Sequence, residues 1–300
     1  MDSSECRLIE SESFIAIAGC GRSGTTLAVD LIGCHPEISP VYETDFVITV
    51  AGILFAETPA PMAEQVAQIT ALMSKWSENL PKRPHNKRDY EKYLHGPHYI
   101  VFSRDFVLAT TVQFTQALMQ PNPNTAALFH HFVMTLFREH ARQDHKPKWV
   151  NKTPTYMFSL PAFKILFPGF RLIHCIRDPR DVARSILAVP WGPKTFAEGL
   201  DYWLRNIHCG QAFQQQYPDD YLEVHYENII RSPQRELDRI FAWLGESEVG
   251  DTVVAECLAR GLIFDDTHVA KWRGKLSAEE TALVSAKLQP QLRAFDYPLE

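Results

Sequence analysis

The segment GCGRSGTT, Gly19 to Thr26, combines residue types and spacing that suit phosphate binding. The apolar run FIAIA, Phe14 to Ala18, leads into it, and Leu27, Leu31 and Ile32 follow at helical spacing. A strand, a glycine-rich turn and a helix N-terminus present backbone N–H groups and a favourable dipole to an anion. Three readings fit the glycines alone. Gly19, Gly21 and Gly24 spell GxGxxG, with Glu43 close to the place of a ribose-binding acid. The same stretch spells GxxxxG followed by Thr25 and Thr26, a P-loop without its lysine. A tight strand-to-helix turn with no ligand is the third. Thr25 in the lysine place and Arg22 inside the loop suit a diphosphate-like group bound without metal. They count against an ordinary ATPase or kinase, whose lysine neutralises the β- and γ-phosphates. The dinucleotide reading weakens because TDFVITV and a helical block follow Glu43, not a clean β-α-β continuation.

A second anion site is legible in RLIHCIRDPRDVARSIL, Arg171 to Leu187. A strand delivers Arg177 at its C-terminal end, and Pro179 can open a helix. Ser185 follows about two turns into that helix. Arg177 and Ser185 can therefore clamp one phosphate between a loop and a helix face. Arg180 and Asp181 read as a solvated ion-pair cluster at the helix start. Two anion sites on one sheet imply a ligand with phosphates at both ends. A nucleotide carrying 5′ and 3′ phosphates meets that description.

The elements that must position these residues alternate. Short strands are expected at 14–18, 40–43, 149–151, 171–176 and 221–225, with helices at 179–189, 195–216 and 233–244 between or after them. Alternation of this kind predicts an α/β, three-layer, P-loop-like domain with a parallel sheet of four or five strands. Residues 51–148 differ in texture, with helical patterns at 60–79 and 125–143 around the proline-rich and basic stretch 81–88. We read residues 1–300 as a single domain and 51–148 as a helical insertion or cap within it. Trp76, Tyr90, Tyr93, Phe129, Phe132 and Phe137 could line an acceptor pocket there, although helically spaced aromatics are more often core.

Bulk properties exclude several functions. A net charge of −6 gives no footprint for coating nucleic acid. The six cysteines (Cys6, Cys20, Cys34, Cys175, Cys209 and Cys257) form no CxxC pair, so metal spacing and a disulfide framework are both unsupported. Buried thiols in a reducing compartment are expected. The polar opening MDSSECRLIESES lacks a signal-peptide pattern, and no run reaches the roughly 18 apolar residues of a membrane span. A cytoplasmic location is expected.

With both anion segments in place, the chain resembles the sulfotransferase superfamily that uses 3′-phosphoadenosine 5′-phosphosulfate as donor. Within it the likeness is to the tyrosylprotein sulfotransferase-like branch and its bacterial relatives. The matching stretches are GRSGTTL (21–27), CHPEI (34–38), YET (42–44), NKTP (151–154), RDPRDVARS (177–185), VHYENII (224–230) and KWRGKLS (271–277). They run in order through nearly the whole chain, with residues 51–148 the least family-like part. The resemblance implies that Arg22, Ser23, Gly24, Thr25 and Thr26 surround the 5′-phosphosulfate. It implies that Arg177 and Ser185 hold the 3′-phosphate, that Tyr226 lies near the nucleotide and that Lys271 closes over it. Glu43 matches the branch's general base, and Lys152 its lysine near the reacting sulfuryl group. The paired cysteines of the secretory tyrosylprotein enzymes have no counterpart here, which leaves the acceptor open.

On this reading Glu43, Lys152 and Arg22 are the catalytic residues, and an acceptor hydroxyl is the partner. No metal is expected, because the cations supply the electrostatic work. The acceptor could be a small alcohol or phenol, a lipid, a carrier-bound acyl chain, a glycan or a peptide tyrosine. The rivals are a P-loop kinase or NTPase and a catalytically silent nucleotide-binding protein. A histidine base, His268 or His130, is the alternative to Glu43.

Overall fold

The computed structural model describes residues 13–78, 102–246 and 249–299. Tyr90, Tyr93, Cys6 and the 81–88 stretch lie outside them. Five strands form one sheet: β1 (Phe14–Gly19), β2 (Ile38–Tyr42), β3 (Lys148–Lys152), β4 (Phe170–Ile176) and β5 (Tyr221–His225). All pairings are parallel, in the order β2-β3-β1-β4-β5. The α/β class and the strand count expected from the sequence are those observed.

Twelve α-helices occur among the described residues. Before β3 these are α1 (Thr25–Gly33), α2 (Phe46–Leu54), α3 (Met62–Glu78), α4 (Arg104–Leu118) and α5 (Thr125–Gln143). After it come α6 (Leu160–Leu166), α7 (Pro179–Ile186), α8 (Phe196–Gln216) and α9 (Tyr226–Arg231). The last three are α10 (Pro233–Leu244), α11 (Gly250–Ala259) and α12 (Ala278–Ala294). α7 ends three residues before the expected Val189. Its last turn carries Ser185.

The period-2 alternation of β1 sorts its side chains onto two faces. Phe14, Ala16 and Ala18 join a core with Phe129, Phe132 and Phe137 of α5 and Phe170 of β4. Ile17 joins the opposite core with Val29 and Ile32 of α1 and Phe241 of α10. The sheet is thus the middle of three layers. Trp76, Phe129, Phe132 and Phe137 are buried in the first of these cores, as the core reading of helical aromatics expects.

β1 is flanked by β3 and β4, and the helices that follow β1 and β4 start from the same edge of the sheet. Such a switch point opens a crevice beyond the strands' C-terminal ends. Gly19, Lys152 and Ile176 end their strands there.

Candidate active site

Gly19 leaves β1 with φ 152°, and a Cβ on it would lie 2.3 Å from the carbonyl oxygen of Cys175. Gly24 caps α1 at φ 86° and ψ 14°. A Cβ there would fall 2.5 Å from Cδ2 of Tyr226. The ring of Tyr226 therefore packs on the bare backbone of the loop, and on its other contact the Arg177 guanidinium stacks 4.4 Å from the ring centroid. Alanine at Gly24 carries roughly 1–2 kcal/mol of left-handed strain and displaces Tyr226 as well. Gly24→Ala should weaken binding of adenosine 3′,5′-bisphosphate by at least about tenfold. Calorimetry checks this, with native affinity in the variant the contrary result.

Arg22 adopts φ 73° without being glycine. Strain of that kind is held in place by its surroundings and gathers at functional sites. Its Nε donates to Ser185 Oγ at 3.0 Å, so the glycine loop and the end of α7 are in direct contact. Arg177 Nη1 donates to the Arg22 carbonyl at 3.2 Å. Two buried polar atoms in this cluster have no protein partner, Ser23 Oγ and Arg177 Nε. Burying a hydroxyl and a guanidinium N–H without partners is costly, and both are donors suited to phosphate oxygens. Thr25 is buried at the head of α1 and Thr26 is exposed beside it. The first-turn N–H groups of that helix have no intrahelical acceptor.

Glu43 and Lys152 meet on the other side of β1. The sheet register pairs Tyr42 with Lys152 and Ile17 with Lys152. The Glu43 N–H then donates to the Lys152 carbonyl at 2.9 Å, and Lys152 Nζ forms an ion pair with the Glu43 carboxylate. Lys152 is 5% exposed and Glu43 36%, so the carboxylate can be reached from solvent while the ammonium is enclosed. Glu43 is another non-glycine residue at positive φ, 49°. Behind the pair lies a buried hydrogen-bond network that sequence reading did not find. Asn151 Nδ2 donates to Thr44 Oγ1 at 2.8 Å, and the Thr44 N–H donates to Thr153 Oγ1 at 3.0 Å. Tyr156 Oη lies 2.7 Å from Thr44 Oγ1. Thr44, Asn151 and Thr153 belong to YET and NKTP, the stretches that hold Glu43 and Lys152, and Tyr156 follows shortly after NKTP.

The segment after α7's start corrects one expectation. Arg180 and Asp181 are not solvated: they are 1% and 4% exposed. Arg180 forks onto Asp178, and its guanidinium stacks 3.6 Å from the ring centre of Trp272. A charge cluster in sequence reads as surface because charges seldom bury without partners, and here the partner lies 94 residues away from Asp178. Lys271 has an exposed side chain, and its N–H donates to Asp181 at 3.3 Å. A cleft of about 300 Å³ is lined by Asp178, Glu227, Val269, Ala270 and Arg273, among others, so it borders this second site and not the glycine loop.

The histidine alternatives separate. His130 is buried, with Nδ1 3.0 Å from the Leu166 carbonyl in the α5 layer. His268 is exposed, and its carbonyl accepts from Arg177 Nη2 at 2.5 Å. His140 and His174 are pushed down to about 4 by burial. No cluster of three or more metal-ligating side chains occurs among the described residues. Cys20, Cys34, Cys175, Cys209 and Cys257 are unbridged, all but Cys209 buried. Among the described residues, no helix is long and apolar enough to cross a membrane.

A parallel α/β sheet with a glycine loop and a facing arginine at its C-terminal edge defines a class of anion-binding folds. The sequence matches the Sulfotransferase family over residues 15–249, and the chain belongs to that family, whose members transfer sulfo groups. The sulfotransferase domain of the Synechococcus PCC 7002 olefin synthase superposes with a TM-score of 0.59, at 18% identity, covering 96% of each chain. The sulfotransferase domain from the curacin biosynthetic pathway gives 0.53 at 16% identity, covering 96% of this chain and 99% of that one. At these identities the likeness is one of fold. No curated protein sequence matches the chain significantly.

Proposed function

We propose that the protein transfers the sulfuryl group of 3′-phosphoadenosine 5′-phosphosulfate to an acceptor hydroxyl. The observation that carries this reading is the joining of two anion-suited segments, through Arg22 Nε to Ser185 Oγ and Arg177 to the Arg22 carbonyl. The unpartnered donors Ser23 Oγ and Arg177 Nε fit phosphate oxygens in the same cluster. When bound, the cosubstrate supplies an electrophilic sulfur and a good leaving group, adenosine 3′,5′-bisphosphate.

The protein's residues then do mostly positioning and electrostatic work. Ser23, Gly24, Thr25, Thr26 and the α1 N-terminus hold the 5′-phosphate. Arg177 and Ser185 hold the 3′-phosphate, with Tyr226 packed against Arg177 and Lys271 at the edge. Glu43 accepts the acceptor's hydroxyl proton as the new oxygen–sulfur bond forms and the sulfur–oxygen bond to the leaving phosphate breaks. Lys152 and Arg22 stabilise the negative charge that grows on the leaving oxygen. Glu43 as base is also what the resemblance to the tyrosylprotein sulfotransferase-like branch implies.

Calorimetry with adenosine 3′,5′-bisphosphate and with ATP-Mg tests the donor directly. The bisphosphate is expected to bind more tightly, because the loop offers threonine where a Walker loop offers lysine. Tighter binding of ATP-Mg points to a kinase or NTPase and defeats the reading. A labelled-donor screen over hydroxyl compounds then identifies the acceptor.

A further inference from the structure

We propose that Asp178, Arg180, Asp181 and Trp272 form a latch that holds the segment carrying Lys271 in place before the nucleotide arrives. They are positioning residues for the 3′-phosphate end of the cosubstrate, a role that rests on the donor reading above.

Three hydrogen bonds cross the latch, and two from Arg180 hold Asp178 from its own side. Arg180 Nε and Nη2 donate to the two carboxylate oxygens of Asp178, at 2.9 and 2.7 Å. Trp272 Nε1 donates to Asp178 Oδ2 at 3.0 Å while its ring covers the Arg180 guanidinium. The main-chain N–H groups of Trp272 and Lys271 donate to the two oxygens of Asp181, at 2.8 and 3.3 Å. A buried charge that loses its partners is strongly destabilising. Undocking the segment would take both backbone donors from Asp181 and the indole from Asp178. Burial pushes the Asp181 carboxyl above its usual range, and Arg177, 3.7 Å away, together with the two backbone donors, opposes that push.

Two further features tie the segment to the phosphate machinery. Ala270, immediately before Lys271, sits at φ 52°, a left-handed conformation that persists only where the surroundings enforce it. Arg177 Nη2 donates to the His268 carbonyl at 2.5 Å, while Nη1 donates to the Arg22 carbonyl at 3.2 Å. One guanidinium thus braces both walls of the second anion site. A segment fixed in advance pays no ordering entropy on binding, so the latch raises affinity by pre-organisation. It contributes nothing to the reacting atoms.

Asp181→Asn and Trp272→Phe, made in the full chain, test this by calorimetry with adenosine 3′,5′-bisphosphate and adenosine 5′-phosphate. Asparagine keeps the size of Asp181 but can accept only one of the two N–H groups, and affinity for the bisphosphate should fall about tenfold. Affinity for the 5′-phosphate alone should stay within about twofold. Trp272→Phe keeps a ring on Arg180 and loses the indole N–H, so its loss should be the smaller. In turnover, KM for the donor should rise with kcat unchanged. If Asp181→Asn does not fold, Trp272→Phe carries the same comparison. Failure of the unaltered protein to bind the bisphosphate overturns the donor reading and the latch together. Where the unaltered protein binds, unchanged affinity in the variants, or equal loss for both ligands, overturns the latch alone.

Discussion

Replacing Glu43 by glutamine is expected to lower turnover by roughly 10²–10⁴-fold, the range typical of a lost general base. Binding of adenosine 3′,5′-bisphosphate should remain close to native. The two effects separate because of where Glu43 sits. It follows β2 and pairs with Lys152 at the end of β3, across β1 from the β4 end that carries Arg177. Glutamine keeps the length and the backbone N–H bond to the Lys152 carbonyl, but it cannot accept a proton at neutral pH. Removing the carboxylate also takes the counter-charge from Lys152, which is 5% exposed, and leaves it an amide oxygen as acceptor. Some loss of thermal stability should accompany the loss of rate, since an unpaired buried ammonium is costly. The assay is single-turnover transfer from labelled donor to the acceptor found in the screen. Undiminished transfer by the variant places the base elsewhere, and His268 becomes the next residue to replace.

Arg177→Ala should weaken bisphosphate binding on the order of a hundredfold, the largest binding effect expected of any single change here. Charge-assisted hydrogen bonds to phosphate are lost outright. The side chain also braces the Arg22 and His268 carbonyls and stacks on Tyr226, so its removal loosens both the loop and the segment before Lys271. Arg177→Lys should recover only part of the affinity, because an ammonium restores the charge without the planar fork. Calorimetry with adenosine 5′-phosphate separates the two contributions: it reports the loosened loop and not the missing 3′-phosphate contact. Native affinity of Arg177→Ala for the bisphosphate would remove the second anion site from the proposal.

Those two residues differ in how they were legible. Arg177 stood in a continuous strand–loop–helix signature, and β4 and α7 start within a residue of where the apolar run and Pro179 put them. The strands were readable because each is a short apolar run that fits a buried parallel sheet. α2 was not anticipated: FVITVAGIL is rich in β-branched residues, which disfavour helix locally. Burial of Phe46, Val47, Val50 and Leu54 along one face overrides that preference. α4 hides for a related reason, with Thr111 and Thr115 bonding back to the carbonyls of Val107 and Thr111. In the site, the glycine loop was legible as a phosphate cradle but ambiguous in ligand. Arg180 and Asp181 read as solvated because sequence shows charge and not depth. Trp272, which makes that depth possible, enters from the far end of the chain.

The parallel register of β2 and β3 has a consequence for how such an enzyme can change. Tyr42 pairs with Lys152 where neighbouring strands end and Glu43 is the next residue, so the backbone separation of Glu43 and Lys152 follows from the inter-strand spacing of about 4.8 Å. Loop length and surface composition do not enter it. On the proposed roles, drift in the surrounding helices can reshape which molecule reaches Glu43 while the spacing of acid and ammonium stays constant. Acceptor preference and transfer chemistry are then separately heritable traits, and new acceptors can be acquired without rebuilding the reaction centre.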